Sequence, residues 1–205
     1  MRTCDLGLID FIEAYRLQKD CVRKVGEGGT ETVFLCEHPV VVTQGRSTQP
    51  GHLLASDAEL RKRKIPVITI DRGGDVTLHA PGQLVVYPII DLRSRGRDLK
   101  VYINLLEQTA INFLNDLGIA AQRNPGYTGV WVEDRKIASL GIGVSKWIAY
   151  HGIAINININ LERFSLIRPC GLDVQMTSVY DRRGPEIGMD EAKSLFLTHL
   201  LRIFK

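Results

Sequence analysis

What the chain lacks narrows its function first. Its four cysteines, Cys4, Cys21, Cys36 and Cys170, form no C-x-x-C pair, which argues against the usual zinc sites. No apolar run approaches the roughly 20 residues that a membrane helix needs. Asp5 and Asp10 interrupt the apolar stretch at the N-terminus, so no secretory signal is expected. These absences point to a cytoplasmic protein with reduced thiols and no membrane segment. There is no phosphate-binding G-x-x-x-x-G-K loop, no internal repeat, no low-complexity segment and no linker. Charge of one sign is also scarce: 26 Lys and Arg against 23 Asp and Glu leave +3, too little to argue for nucleic acid. Basic residues do cluster at Arg61 to Lys64, at Arg93, Arg95, Arg97 and Lys100, and at Arg182-Arg183. No aromatic residues interleave with them as base-stacking platforms would. They read as solvated surface or as a docking face for an acidic protein.

What is present suits one globular domain. The chain is 205 residues long, 44% hydrophobic and 24% charged, so residues 1–205 are expected to form a single domain. Asp10, with Glu13 three positions on, starts a helix whose apolar face carries Leu17, Cys21, Val22 and Val25. Thr32 to Leu35 and Val40 to Thr43 read as strands. Ser56 and Glu59 open a short basic helix ending near Lys64. Pro66 to Ile70 and Leu84 to Ile90 are β-branched runs and read as buried strands. Asp98 starts a long helix striped by Tyr102, Leu105, Leu106, Thr109, Phe113, Leu114 and Leu117, with Gly118 past its end. Gly129 to Glu133 and Lys136 to Val144 form a strand pair around Asp134 and Arg135. Ala149 to Ile159 alternates as a strand does, and a last helix begins near Asp190. Strands without regular β-α alternation indicate an α+β fold with a mixed or antiparallel sheet and flanking helices.

Three places carry chemistry. The segment from Arg72 to Gln83 sets two adjacent glycines, an arginine, His79 and a Pro-Gly turn between two apolar runs. Gly73 and Gly74 let the backbone approach a ligand, since no Cβ intervenes. Alone, the segment reads equally as a bulge, a turn and a core histidine. Lys136 lies at the start of a strand, and Cys170 stands in Arg-Pro-Cys-Gly. A nearby ammonium favours a thiolate, which is the nucleophilic form. Separately, Cys170 reads also as a small buried hydrophobe and Lys136 as a surface residue.

Taken together, four motifs bear on those alternatives. Arg72 to Gln83 (RGGDVTLHAPGQ), Lys136 to Gly141 (KIASLG), His151 to Ala154 (HGIA) and Pro169-Cys170-Gly171 have the order and spacing of a known family. The chain resembles the lipoyl(octanoyl) transferases from its first helix to Val179. Leu78 and Ala80 depart from the pattern, which has Tyr or Thr and Gly there. The resemblance implies the fold of the biotin and lipoate protein ligase catalytic domain. It implies octanoyl transfer from the phosphopantetheine thioester of acyl carrier protein to a lysine of a lipoyl domain, the first step of endogenous protein lipoylation. The acceptors would be lipoyl domains of 2-oxoacid dehydrogenase complexes and the glycine cleavage H protein. No cofactor or metal of the enzyme's own is implied. Cys170 would carry the acyl group as a thioester and Lys136 would be its activating partner. Arg72, Gly73, Gly74, Asp75, Val76, Thr77, Leu78 and His79, then Ser139, Leu140 and Gly141, then Gly152, Ile153 and Ala154, would line the substrate site. Small residues at Ala138, Gly141, Gly143, Gly152 and Ala154 would leave room for the acyl tail, and His151 would sit behind the site. The competing readings are an ATP-dependent ligase of the same fold, a non-catalytic binding module, and a hydrolase pairing Cys170 with His79 or His151.

Overall fold

The chain builds a large sheet with helices on both faces and a small sheet beside it. The computed structural model describes residues 1–169, 174–184 and 187–205. Along them run β1 (Arg2–Leu8), α1 (Phe11–Gly26), β2 (Thr32–Glu37), β3 (Val41–Gln44), α2 (Asp57–Lys62), β4 (Val67–Thr69), β5 (Thr77–His79) and β6 (Gln83–Asp91). Then come α3 (Leu99–Asp116), β7 (Gln122–Asn124), β8 (Tyr127–Val132), β9 (Arg135–Ser145), β10 (Ile148–Asn156), a 3-10 turn (Leu161–Leu166), α4 (Val179–Arg183) and α5 (Met189–Ile203). The large sheet has the order β1-β2-β6-β10-β9-β8-β7, and the small one β4-β3-β5. β1 runs parallel to β2 and β3 parallel to β4, while the remaining neighbours are antiparallel. The architecture is therefore a mixed-sheet α+β fold, as the sequence pattern indicates.

β6 explains why the core is two-sided. Its Leu84, Val86 and Ile90 pack with Leu106, Phe113, Phe196 and Leu200 of α3 and α5. Val85, Tyr87 and Ile89, one residue out of phase, pack with Ala14, Val22 and Val25 of α1. A strand covered on both faces must be apolar throughout, which is why β6 reads as a continuous run. A third cluster, with Leu60, Leu78, Phe164 and Ile167, ties the small sheet to α2 and the 3-10 turn.

Several elements differ from the sequence reading. The run Pro66 to Ile70 is not a buried strand: β4 is an edge of the small sheet, with Val67 and Thr69 exposed. Ile65 and Ile70, just outside it, supply the burial. On α1 the inner position expected for Leu17 falls to Gln18, which is fully buried, while Leu17 is 39% exposed. β1 and β7 have no clear signature because they are edges. Asp5 and Gly7 break the alternation of β1, and its Asp5 carboxylate is held by Lys193 of α5 (Nζ to Oδ2, 2.8 Å).

One irregularity shapes the site. β6 and β10 pair at Ala149–Ile90 and again at Ile153–Val86, with the residues between left out of the ladder. In that register His151 lies opposite Pro88, which has no N–H to contribute. His151 adopts a left-handed backbone, φ 56°, and its N–H donates to Oε1 of the buried Gln18 (2.9 Å). In a regular strand Tyr150 and His151 would face opposite sides of the sheet. Here their rings lie 4.9 Å apart, and both reach the same carboxylate, Asp71.

α1 depends on its cap. The Asp10 side chain accepts from the N–H groups of Ile12 (2.8 Å) and Glu13 (3.2 Å). Asp10→Ala should cost about 1 kcal/mol, seen as a lower urea midpoint with an unchanged denaturant slope.

Candidate active site

The 70–79 segment arches over β9 and β10 and closes a cleft against them. About 520 Å³ of space, including the open mouth, lies between Phe11, Ile70, the 72–79 segment, Val85, Tyr87, Ser139 to Gly141 and His151 to Ala154. Backbone contacts fix the arch: Gly73 N–H donates to Ile142 O (2.8 Å). Arg72, 7% exposed, is aimed by β3, donating from Nη2 to Thr43 O (2.9 Å) and Oγ1 (3.0 Å). A Cβ at Gly141 would stand 2.9 Å from Arg72 Cδ and 3.0 Å from Gly73 O, so only glycine admits this close approach.

Most residues singled out in the sequence meet in this cleft. Arg72, Gly74, Asp75, Val76, Thr77, His79, Ser139, Leu140, Gly141, Gly152, Ile153 and Ala154 all line it. Gly73 lines an adjoining smaller pocket with Gly74, Ile103, Thr128 and Leu140 to Ile142. Leu78 is fully buried in the cluster behind β5, because strand alternation turns Thr77 and His79 to the cleft and Leu78 away. Ala138 lies in the core on the α3 side, and the space beside Gly143 is filled by the Tyr150 ring. Asp75 is engaged by the His52 imidazole and by Val76 N–H.

Lys136 lies outside the lining of the cleft. It is 2% exposed; its Nζ donates to Thr128 O (2.8 Å) and sits 5.5 Å from the Trp131 ring centre. Gly129 makes the room, since a Cβ there would be 2.4 Å from Lys136 Cε. The Lys136 backbone pairs with the chain beyond the 170 segment: its N–H donates to Gln175 O and its O accepts from Thr177 N–H, both at 2.9 Å. Cys170 itself lies outside the described residues. The other three thiols pack in or against the apolar cluster beneath α1, and burial pushes the pKa of Cys21 and Cys36 upward.

Two polar assemblies around the cleft have no sequence signal, because their members are far apart in the chain. One is a buried chain: His79 Nδ1 to Gln83 Oε1 (2.7 Å), Gln83 Nε2 to Asn156 Oδ1 (3.0 Å), and Asn156 Nδ2 to Thr177 O (2.9 Å). The second centres on Asp71, which accepts from Tyr150 Oη (2.6 Å), Tyr15 Oη (2.8 Å), Lys19 Nζ (3.1 Å) and His151 Nε2 (3.2 Å). Burial would raise the Asp71 pKa, but these donors outweigh it and hold the carboxyl well below the usual range. His151 is pushed down to about 4 by burial, against the pull of Asp71. His79 falls to about 3, again by burial, with the neighbouring His38 adding to it. His38 is lowered by burial too, and it donates from Nδ1 to Ile9 O and accepts from Tyr87 Oη. Neutral imidazoles therefore wall one side of the cleft. Among the described residues no cluster of His, Cys, Asp or Glu is arranged to hold a metal ion, and no helix is long and apolar enough to cross a membrane.

Solved structures show that this architecture is the fold seen in lipoate and biotin protein ligases. A lipoate-protein ligase A bound with ATP superposes with TM-score 0.83 at 15% identity, over 99% of this chain and 85% of that one. A biotin protein ligase from Aquifex aeolicus, in complex with biotin and ATP, gives 0.60 at 14%, over 98% and 69%. Residues 10–201 match the model of the lipoyl protein ligase A/B catalytic domain, and the chain belongs to that family. Its relatives include an octanoyltransferase of Syntrophobacter fumaroxidans, 45% identical over 203 residues, 98% of this chain and 89% of that protein. An octanoyltransferase of Syntrophotalea carbinolica is 42% identical over 207 residues, 100% and 95%.

The imidazoles make stability pH-dependent. A histidine with a folded pKa below its unfolded value resists protonation in the fold. Its contribution is intact above about pH 6.5 and is lost as pH falls towards the folded value. For His79 the loss between pH 7 and pH 5 is about 2 kcal/mol. Urea unfolding should show falling stability over that window, and His79→Gln should flatten the dependence.

Proposed function

We propose that the chain transfers an octanoyl group to a lysine of a lipoyl domain through a thioester on Cys170, with Lys136 as the proton-handling partner. Octanoyltransferase relatives over the full length support the acyl group and the link to lipoylation. The observation that carries the mechanism is Lys136 itself. Lys136 is 2% exposed, and its backbone is hydrogen-bonded to Gln175 and Thr177, which follow Cys170 in the sequence.

The donor is acyl carrier protein, whose phosphopantetheine holds octanoate as a thioester. Cys170 sulfur attacks the thioester carbonyl, the new C–S bond forms, and the pantetheine thiol leaves with the proton that Cys170 lost. Exchange between thioesters is nearly balanced, so no ATP is consumed. The acceptor amine then attacks the enzyme thioester. An amide forms, the C–S bond breaks, and the amine's proton returns to Cys170 by way of Lys136. Splitting the transfer in this way is what a thiol nucleophile offers. The cleft beneath the 72–79 segment receives the acyl tail, and burying its methylenes supplies about 0.8 kcal/mol each. The acceptors are the lipoyl domains of 2-oxoacid dehydrogenase complexes and the glycine cleavage H protein, in the cytoplasm. Acyl carrier protein is acidic and docks on basic surface. Arg93 and Arg95 are engaged by Asp91 and Glu31, which leaves the exposed Arg61, Lys62 and Lys64 on and beside α2 as the better face.

An ATP-dependent ligase reaction is the competing reading, because structural neighbours of this fold are ATP-bound. Incubation with octanoyl-acyl carrier protein and a lipoyl domain, without nucleotide, separates the two. The wild type should yield octanoylated acceptor, and Cys170→Ala none. Lys136→Ala should slow acyl-enzyme formation about a hundredfold or more, followed by single-turnover mass spectrometry. Strict ATP dependence, or normal acylation in Lys136→Ala, would reject the mechanism.

A further inference from the structure

We propose that His151 is the end wall of the acyl slot and sets the limit on chain length. The inference rests on the reading of the cleft as the acyl site. The floor of the cleft is a paired strip of β9 and β10, where Ser139 faces Ala154, Gly141 faces Gly152 and Ile142 faces His151. Lys136 lies towards the opposite end of β9. From Ser139 to Ile142 the strand advances about 10 Å, three residues at about 3.3 Å each, comparable with an extended eight-carbon chain. The cleft lining includes His151 but not Tyr15, Asp71 or Tyr150, which contact the His151 ring.

Everything around His151 resists displacement. Its backbone is held in the left-handed region opposite Pro88, and its N–H is bound by Gln18. The imidazole lies nearly parallel to the Tyr15 ring, 5.4 Å between centres and 4° between planes. Nε2 is bonded to Asp71, and that carboxylate is braced by Tyr15, Lys19 and Tyr150. The Lys19 ammonium also covers the Tyr150 ring at 4.5 Å. An apolar methyl end that reaches this wall meets a ring that cannot swing aside. Two further methylenes would have to displace it.

The test is a competition. Hexanoyl-, octanoyl-, decanoyl- and dodecanoyl-acyl carrier protein, in equal amounts, are offered to the full chain, and the acyl-enzyme adducts are read by intact mass. Wild type should favour octanoyl. His151→Gly, which suits the left-handed backbone, removes the wall and should raise the decanoyl-to-octanoyl ratio about tenfold, each buried methylene being worth about fourfold. His151→Phe refills the space without the hydrogen bond and should keep the wild-type ratio. Asp71→Ala leaves the ring but removes its brace; it should raise the ratio to an intermediate value, and it carries the test should His151→Gly fail to fold. Unchanged ratios in His151→Gly and Asp71→Ala would overturn the proposal, as would an equal loss at every chain length in both histidine variants. A wild type that forms no adduct with any chain would instead remove the acyl-site reading on which the proposal stands.

Discussion

The site depends on a single close approach of backbone to backbone. Gly73 donates to Ile142 across the gap between the arch and β9, at a height set by the missing side chain of Gly141. The hydrogen bond fixes where the arch stands, and Arg72, tied to Thr43 of the neighbouring small sheet, fixes how it is turned. The floor of the cleft includes the small residues Ser139, Gly141, Gly152 and Ala154 beside Leu140 and Ile153.

Lys136 lies beside the cleft and not within it. Lys136 is sunk between Trp131 and the Thr128 carbonyl, in space that Gly129 vacates. Its backbone is stitched to Gln175 and Thr177, and Thr177 is in turn held by Asn156, which hydrogen-bonds through Gln83 to His79 in the cleft wall. The cleft wall and the strand that carries Lys136 thus share one set of buried hydrogen bonds. Such networks are rigid when every member is satisfied. At the other end, a second polar assembly on Asp71 holds His151. His151, its pKa lowered by burial, lies in the cleft wall on the side away from Lys136.

Much of this was legible in the sequence, and the reasons for the rest are physical. β6, β9, β10, α3 and α5 could be read because burial on one or both faces imposes a clear period. β1 and β4 are edges with little buried surface, so their patterns are weak, and the short β-branched run Pro66 to Ile70 reads as buried although Val67 and Thr69 of β4 are exposed. The order of motifs brought together twelve cleft residues. Strand alternation removed Leu78, which a motif read as a block cannot resolve. Asp71, Tyr15, Lys19 and Tyr150 were invisible because they converge from three separate elements. Even the facing of His151 could not be inferred, since its inward turn accompanies the missing N–H of Pro88 on another strand.

The central claim is that an acyl chain attached at Cys170 lies along β9 and β10 beneath the arch. It is tested most directly by a crystal structure of the enzyme after reaction with an octanoyl thioester. The account predicts continuous density from the Cys170 sulfur into the cleft, past Ser139 and Gly141, ending against the His151 ring. Density in another groove, such as the one between Cys4, Leu6 and Leu17, or an acyl group on a residue other than Cys170, would contradict it.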